Sequence, residues 1–159
     1  MTWSYPGNAK EGLRITSIDD GITRIDLNGD TKEDIIISSY VDISSPHNFK
    51  SYIFFILEHS GEREVWQRIV WEKKDILQMN FNILEGADCI LRDFRLIQFS
   101  RRIQPIELVM AEREFGQSYA DEMPVKFTYF RLFKNKDHFP GEAYWKYVPQ
   151  KVIKSKKIL

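Results

Sequence analysis

Residues 125–133 read VKFTYFRLF. Val125, Phe127, Tyr129 and Phe133 stand at every second position, so in an extended chain they share one face. The run is aromatic and apolar, which suits a pleated, half-buried surface. It reads as a strand within Val125 to Lys134, and its neighbours read the same way.

Upstream, Asp34 to Asp42, Lys50 to Glu58 and Glu64 to Trp71 are strand-like, the last two joined by the turn His59-Ser60-Gly61-Glu62. Asn80 to Leu84, Ala87 to Phe99, Gln104 to Phe115 and Ala143 to Val148 continue the pattern. Leu13 to Ile18 and Ile22 to Leu27 alternate on either side of Asp19-Asp20-Gly21, which predicts a β-hairpin. Glu72 to Met79 and Ile106 to Glu114 are the two stretches where a helical period competes. Strands recurring roughly every ten residues with turn signals between them predict an all-β fold of packed antiparallel sheets, as in a sandwich. Few or no helices are expected. No repeat, linker or low-complexity segment interrupts residues 1–159, so a single domain is expected over the whole chain.

The composition narrows the function classes. The 23 basic and 23 acidic residues cancel, and the basic excess that drives broad nucleic-acid binding is missing. Lys151, Lys154, Lys156 and Lys157 concentrate charge near the end, in the manner of a frayed basic terminus. Eleven Phe, seven Tyr and four Trp in 159 residues exclude a disordered chain. The longest apolar run, Tyr52 to Leu57, is too short to span a bilayer, so no transmembrane segment is expected. One cysteine, Cys89, cannot close an internal disulfide and leaves the redox compartment open. The opening MTWSYPGNAK lacks the charged and apolar regions of a secretory signal, as in a cytosolic protein or a mature exported form.

Arg24 to Ser38, RIDLNGDTKEDIIIS, carries the densest set of oxygen donors. Counting Asp26 as first, Asn28 is third, Asp30 fifth, Lys32 seventh and Asp34 ninth. Calcium takes six to eight oxygens, and a curled loop presents alternate residues to one centre. Asp26, Asn28, Asp30 and Asp34 offer side-chain oxygens, Lys32 a carbonyl, and Gly29 permits the curl. A structural Ca²⁺ is the metal reading. The loop is not an EF-hand, because Thr31 stands at the usual glycine and Ile37 at the bidentate glutamate. The spacing instead resembles the calcium loops of FG-GAP repeats in β-propellers, present here as a single copy. The alternative is an ion-free hairpin connection, since Asn28-Gly29 is a strong turn dipeptide.

Catalytic motifs are scarce. His47, His59 and His138 never form a zinc spacing. The sequence has no G-x-S-x-G, S-x-x-K or K-T-G motif and no glycine-rich phosphate loop. Cys89 sits beside an acid, which disfavours the thiolate. Asp88, Arg92, Asp93 and Arg95 form a charged set on an apolar strand. Asp88 and Arg92 share one face and Asp93 and Arg95 the other, as an ion pair pinning the strand or a polar ligand pocket. Gly116 to Asp121 reads as a turn, with a binding edge as the sharper alternative.

IDLNGDTKEDIII (25–37), SSPHNFKSYIFFI (44–56), GADCILRDFRLI (86–97), AEREFGQSYADEMPVKFTYFRL (111–132) and PGEAYWKY (140–147) occur in that order. The ordered set resembles the intrinsic carbapenem-resistance proteins of the CarG type over roughly Ile22 to Tyr147. That family often carries D-L-N-x-D-G-x-x-D, an Asn-Ala-His element, G-A-D-C and F-G-x-S-Y. Here Thr31 replaces the usual glycine, and Ser45-Pro46-His47 stands where Asn-Ala-His is common.

The resemblance implies a periplasmic, signal-cleaved, metal-binding all-β protein that protects a carbapenem producer. Protection would come from binding the antibiotic or shielding its cell-wall transpeptidase target, without hydrolysis. The competing expectations are a hydrolase of unrecognised type using Asp88, Arg92 or Asp93, and a structural β interaction module. Aromatic-rich strands also suggest a homodimer through a sheet edge.

Overall fold

In a computed structural model, the described residues are 13–42, 49–73, 76–85, 90–99, 105–118, 121–137 and 139–158. They form β1 (Leu13–Thr16), β2 (Ile22–Ile25), β3 (Asp34–Val41), β4 (Phe49–Ser60) and β5 (Arg63–Lys73). Then follow β6 (Ile76–Gln78), β7 (Phe81–Glu85), β8 (Ile90–Phe99), β9 (Glu107–Arg113), β10 (Met123–Lys134) and β11 (Trp145–Ile158). No helix occurs among the described residues, and the all-β expectation holds.

The layers belong to one 11-stranded sheet, ordered β2-β3-β4-β7-β8-β9-β10-β11-β5-β6, with β1 on β8. β5 also pairs β4, so the path curls back on itself. That curl brings strands distant in the path face to face, where a sandwich would use two separate sheets. The pairings are antiparallel except β11 with β5, where Trp145 to Tyr147 run parallel to Ile69 to Trp71.

Three expectations change. The basic tail expected to fray is strand, with Lys151, Lys154 and Lys157 opposite Tyr129, Lys126 and Pro124 of β10. Leu13–Thr16 pairs β8, from Leu13 opposite Phe99 to Thr16 opposite Leu96. β2 pairs β3 instead of β1. Around Gly21 the chain is tied to β3, because Gly21 N–H donates to Ser38 Oγ and Ser38 N–H donates back to Gly21 carbonyl. Those bonds turn β2 toward β3 and leave β1 for another partner. The two candidate helical stretches also contain strands, β6 and β9. β9 lies between β8 and β10, and Leu108, Val109 and Met110 are all buried. Burial on both sides of a central strand removes the polar alternation and imitates a helical stripe.

The concave face holds an aromatic core. Phe54 and Phe81 are 4.7 Å apart, Trp71 stacks on Phe81 at 5.3 Å, and Tyr52 meets Phe94 edge-on at 4.9 Å. Such pairs contribute about 0.5–1.5 kcal/mol each beyond the area they bury. Tyr147 is fully buried, and its hydroxyl donates to Ile106 carbonyl at 3.0 Å.

On β10 the buried residues are Thr128, Phe130 and Leu132. The Val125, Phe127, Tyr129, Phe133 set lies on the other face, and Phe133 is 42% exposed. The strand was legible, but its inward face is the opposite alternation.

Candidate metal loop and a charged rim

The donor-rich loop is residues 26–33, connecting β2 to β3, with Ile25 and Asp34 paired across its base. Leu27 anchors it: the side chain is fully buried, and its carbonyl accepts the N–H of Ile106 at 2.8 Å. Gly29 and Thr31 have φ of 81° and 71°, giving the loop two left-handed bends. Gly29 adopts that region freely, whereas a β-branched residue is strained there.

The side-chain oxygens are turned onto the loop's own backbone. Asp26 Oδ1 accepts the N–H groups of Gly29 (2.7 Å) and Asp30 (3.2 Å), and Oδ2 that of Thr31 (2.8 Å). Asn28 Oδ1 accepts Asp30 N–H and Asp30 Oδ1 accepts Lys32 N–H, both at 2.9 Å. These side-chain-to-backbone bonds hold the curl in the manner of Asx-turns.

Asp34 behaves differently. It has no exposed surface; Oδ2 accepts Leu27 N–H at 2.8 Å and Oδ1 accepts Leu57 N–H at 2.9 Å. Burial raises its carboxyl more than the Leu57 and Leu27 bonds lower it, and nearby Asp30 and Asp26 push the same way, to about 6. Three carboxylates therefore share one field. The donors are hard oxygens, the right kind for calcium. Among the described residues, however, no group of three or more His, Cys, Asp or Glu is arranged to hold a metal ion.

The other candidates separate. Asp93 and Arg95 pair on one face of β8 at 2.5 Å. Arg92 points to the other face and binds Glu112, so Arg92 and Asp93 do not converge. Asp88, Cys89, His47 and His138 lie outside the described residues, as does the Ser45-Pro46-His47 element; His59 is exposed at the end of β4. Gly116 to Asp121 includes a turn closed by Asp121, whose Oδ2 accepts the N–H groups of Gln117 (2.7 Å) and Ser118 (2.9 Å). A Cβ at Gly116 would lie 2.5 Å from that oxygen, which explains the glycine.

Sequence reasoning missed Glu112. Its Oε1 accepts Lys73 Nζ at 2.8 Å and Arg92 Nη2 at 2.7 Å, and its Oε2 lies 3.1 Å from Lys126 Nζ. Burial alone would raise this carboxyl. The Lys73 hydrogen bond, the Arg92 charge and the Lys126 hydrogen bond outweigh it and hold the group at about 2. A signal was available: Arg92, Glu112 and Lys126 are in phase with the buried Phe94, Met110 and Thr128 of their own strands. Charged residues in core phase mark a polar end to an apolar face.

Among the described residues no helix is long and apolar enough to cross a membrane. A family model described as "Carbapenem resistance protein CarG-like" matches residues 18–158. Among solved structures, "Crystal structure of CarG" is similar with a TM-score of 0.71 and 18% identity, covering 91% of this chain and 87% of that one. At that identity the likeness concerns the fold. No curated protein matches the chain.

Proposed function

The chain belongs to the CarG-like family of carbapenem resistance proteins, and from that premise we propose that it is a periplasmic, non-hydrolytic resistance protein. It protects the cell by binding the carbapenem or by shielding the transpeptidase that the antibiotic attacks. The family match over 18–158 is the observation that carries this reading. The sequence supports it by offering no serine-hydrolase or β-lactamase motif. A hydrolase using Asp88, Arg92 or Asp93 is less well supported, because Arg92 and Asp93 lie on opposite faces of β8, each in an ion pair, and Asp88 lies outside the described residues.

Purified protein incubated with a carbapenem, with the ring absorbance followed, tests the central point. No more than stoichiometric loss of the chromophore is expected; sustained turnover would make the protein an enzyme. Titration against transpeptidases with and without the antibiotic then separates target shielding from sequestration.

A structural calcium ion on Asp26, Asn28, Asp30, Asp34 and the Lys32 carbonyl completes the reading. The odd-numbered spacing supports it, as do the curled loop and the mutual repulsion of Asp26, Asp30 and Asp34. Bound calcium would supply charge neutralisation and a fixed loop geometry. At about 100 times its dissociation constant it would add about 2.7 kcal/mol. Asp30→Ala is the discriminating variant, because Asp30 Oδ1 holds the Lys32 N–H and the side chain is exposed. Calcium should raise the melting temperature of the wild type and not that of the variant. Identical melting in calcium and in EDTA would remove the ion.

A homodimer through a sheet edge belongs to the same reading. β2 and β6 end the sheet path, and Ile22, Ile76 and Leu77 on them are exposed. Sedimentation equilibrium, with Ile76→Lys as the disrupting variant, decides it.

A further inference from the structure

Arg92 of β8 stands opposite Glu112 of β9, Glu112 opposite Lys126 of β10, and Lys126 opposite Lys154 of β11. These four side chains form one lateral row across neighbouring strands, just beyond the buried residues Phe94, Met110 and Thr128. Lys73 reaches the same carboxylate from β5, which is not a neighbour of β9 in the sheet. The row is thus a rim where the curled sheet brings distant strands together.

The charges on this rim do not balance. Lys154 is matched by Glu114 at 2.5 Å. Among the described residues, Lys73, Arg92 and Lys126 share only Glu112, which leaves three positive charges around one negative there. Nor do the donors balance. Each ammonium carries three N–H groups and the guanidinium five, whereas one carboxylate offers about four acceptor positions. Lys73 and Lys126 direct one contact each to Glu112, Lys73 Nζ also lies 5.9 Å over the Trp71 ring, and the two side chains are 34% and 31% exposed, so both are reachable from solvent. Two ammonium groups and a guanidinium on three separate strands, held by a partly buried carboxylate, are suited to a planar or tetrahedral oxyanion. An incoming oxyanion would relieve the repulsion among the three cations while using donors that Glu112 cannot reach.

We propose that this rim is an oxyanion-binding site, in which Lys73, Arg92 and Lys126 receive a carboxylate or phosphate group beside Glu112. Glu112 is a positioning residue that gathers the cations by its two oxygens, while its negative charge opposes the incoming anion, so an amide in its place keeps an acceptor and removes the repulsion. The site stands independently of the resistance reading. A carbapenem nucleus carries a carboxylate, however, so one source of the anion is the antibiotic itself.

Thermal melting of the full chain at constant ionic strength tests the site, with inorganic phosphate or acetate replacing chloride. Phosphate should raise the melting temperature beyond the chloride control, and Lys126→Gln should weaken its apparent affinity at least tenfold. Glu112→Gln provides a second measurement: with the shared carboxylate neutralised, the phosphate-dependent rise should exceed that of the wild type. A wild-type response no larger than chloride, or one retained in Lys126→Gln, overturns the proposal. Competition by a carbapenem against phosphate would identify the antibiotic as the carboxylate source. A phosphate response without competition keeps the site and removes the antibiotic as its ligand.

Discussion

Asp34 Oδ1 accepts the backbone N–H of Leu57 at 2.9 Å, while its Oδ2 accepts that of Leu27 at 2.8 Å. One buried carboxylate therefore fastens the acidic loop to β3's own start and to β4. Removing it strands two buried donors, each costing about 1–3 kcal/mol. Asp34→Ala should lower unfolding stability by roughly 3–5 kcal/mol in urea titration. Asp34→Asn keeps one acceptor and should lose less. Equal stability of Asp34→Ala and wild type would mean the loop is held by other contacts.

Thr31 holds a left-handed φ of 71°, where an L-residue costs roughly 1–2 kcal/mol. Part of the gain from glycine is offset by its freer unfolded chain. Thr31→Gly should still stabilise by about 0.5–1 kcal/mol, read from the shift in urea midpoint. A loss of stability would show that the threonine side chain makes a compensating contact.

Stability should respond to acid in two opposed ways. Glu112 is held down from 4.5 to about 2, so the stability it contributes is complete above 4.5 and lost as pH falls toward 2. Asp34 is raised from 3.8 to about 6, so the folded state favours its protonated form. That contribution is complete below 3.8 and lost as pH rises through 6. Each shift is worth about 3 kcal/mol. The urea midpoint should rise from pH 2 to about 4 and then fall toward 6. Glu112→Gln should flatten the acid limb, and Asp34→Ala should abolish the later decline.

Ser51 is 5% exposed, and its Oγ has no hydrogen-bond partner among the described residues. Ser51→Ala removes a desolvated hydroxyl without breaking a bond. Its stability should equal that of the wild type or exceed it by up to about 1 kcal/mol. A loss above 1 kcal/mol in calorimetry would point to a buried water bonded to that oxygen.

Much of the strand content was visible from local pattern. The turn at Gly61, with φ of 64°, stands where the hairpin signal put it, and β10 spans the run VKFTYFRLF. The acidic loop was legible too as a connection between two strands, because its Asp and Asn side chains act on backbone groups within a few residues. The charged rim was harder to find, since Lys73, Arg92, Glu112 and Lys126 come from four strands and meet only when the sheet curls.

The sequence by itself determined that this chain is built of strands, where many of its turns fall and that Asp26 to Asp34 forms a tight polar link. Those features depend on period, turn residues and short-range hydrogen bonds. Only the tertiary structure decided which face of β10 is buried, because both alternations carry apolar residues and the choice rests on what β9, β11 and the aromatic core bring against them. It also decided that β1 pairs β8, and that Glu112 sits among three cations. A strand's local pattern carries no information about a partner many residues away; the curl of the sheet supplies it.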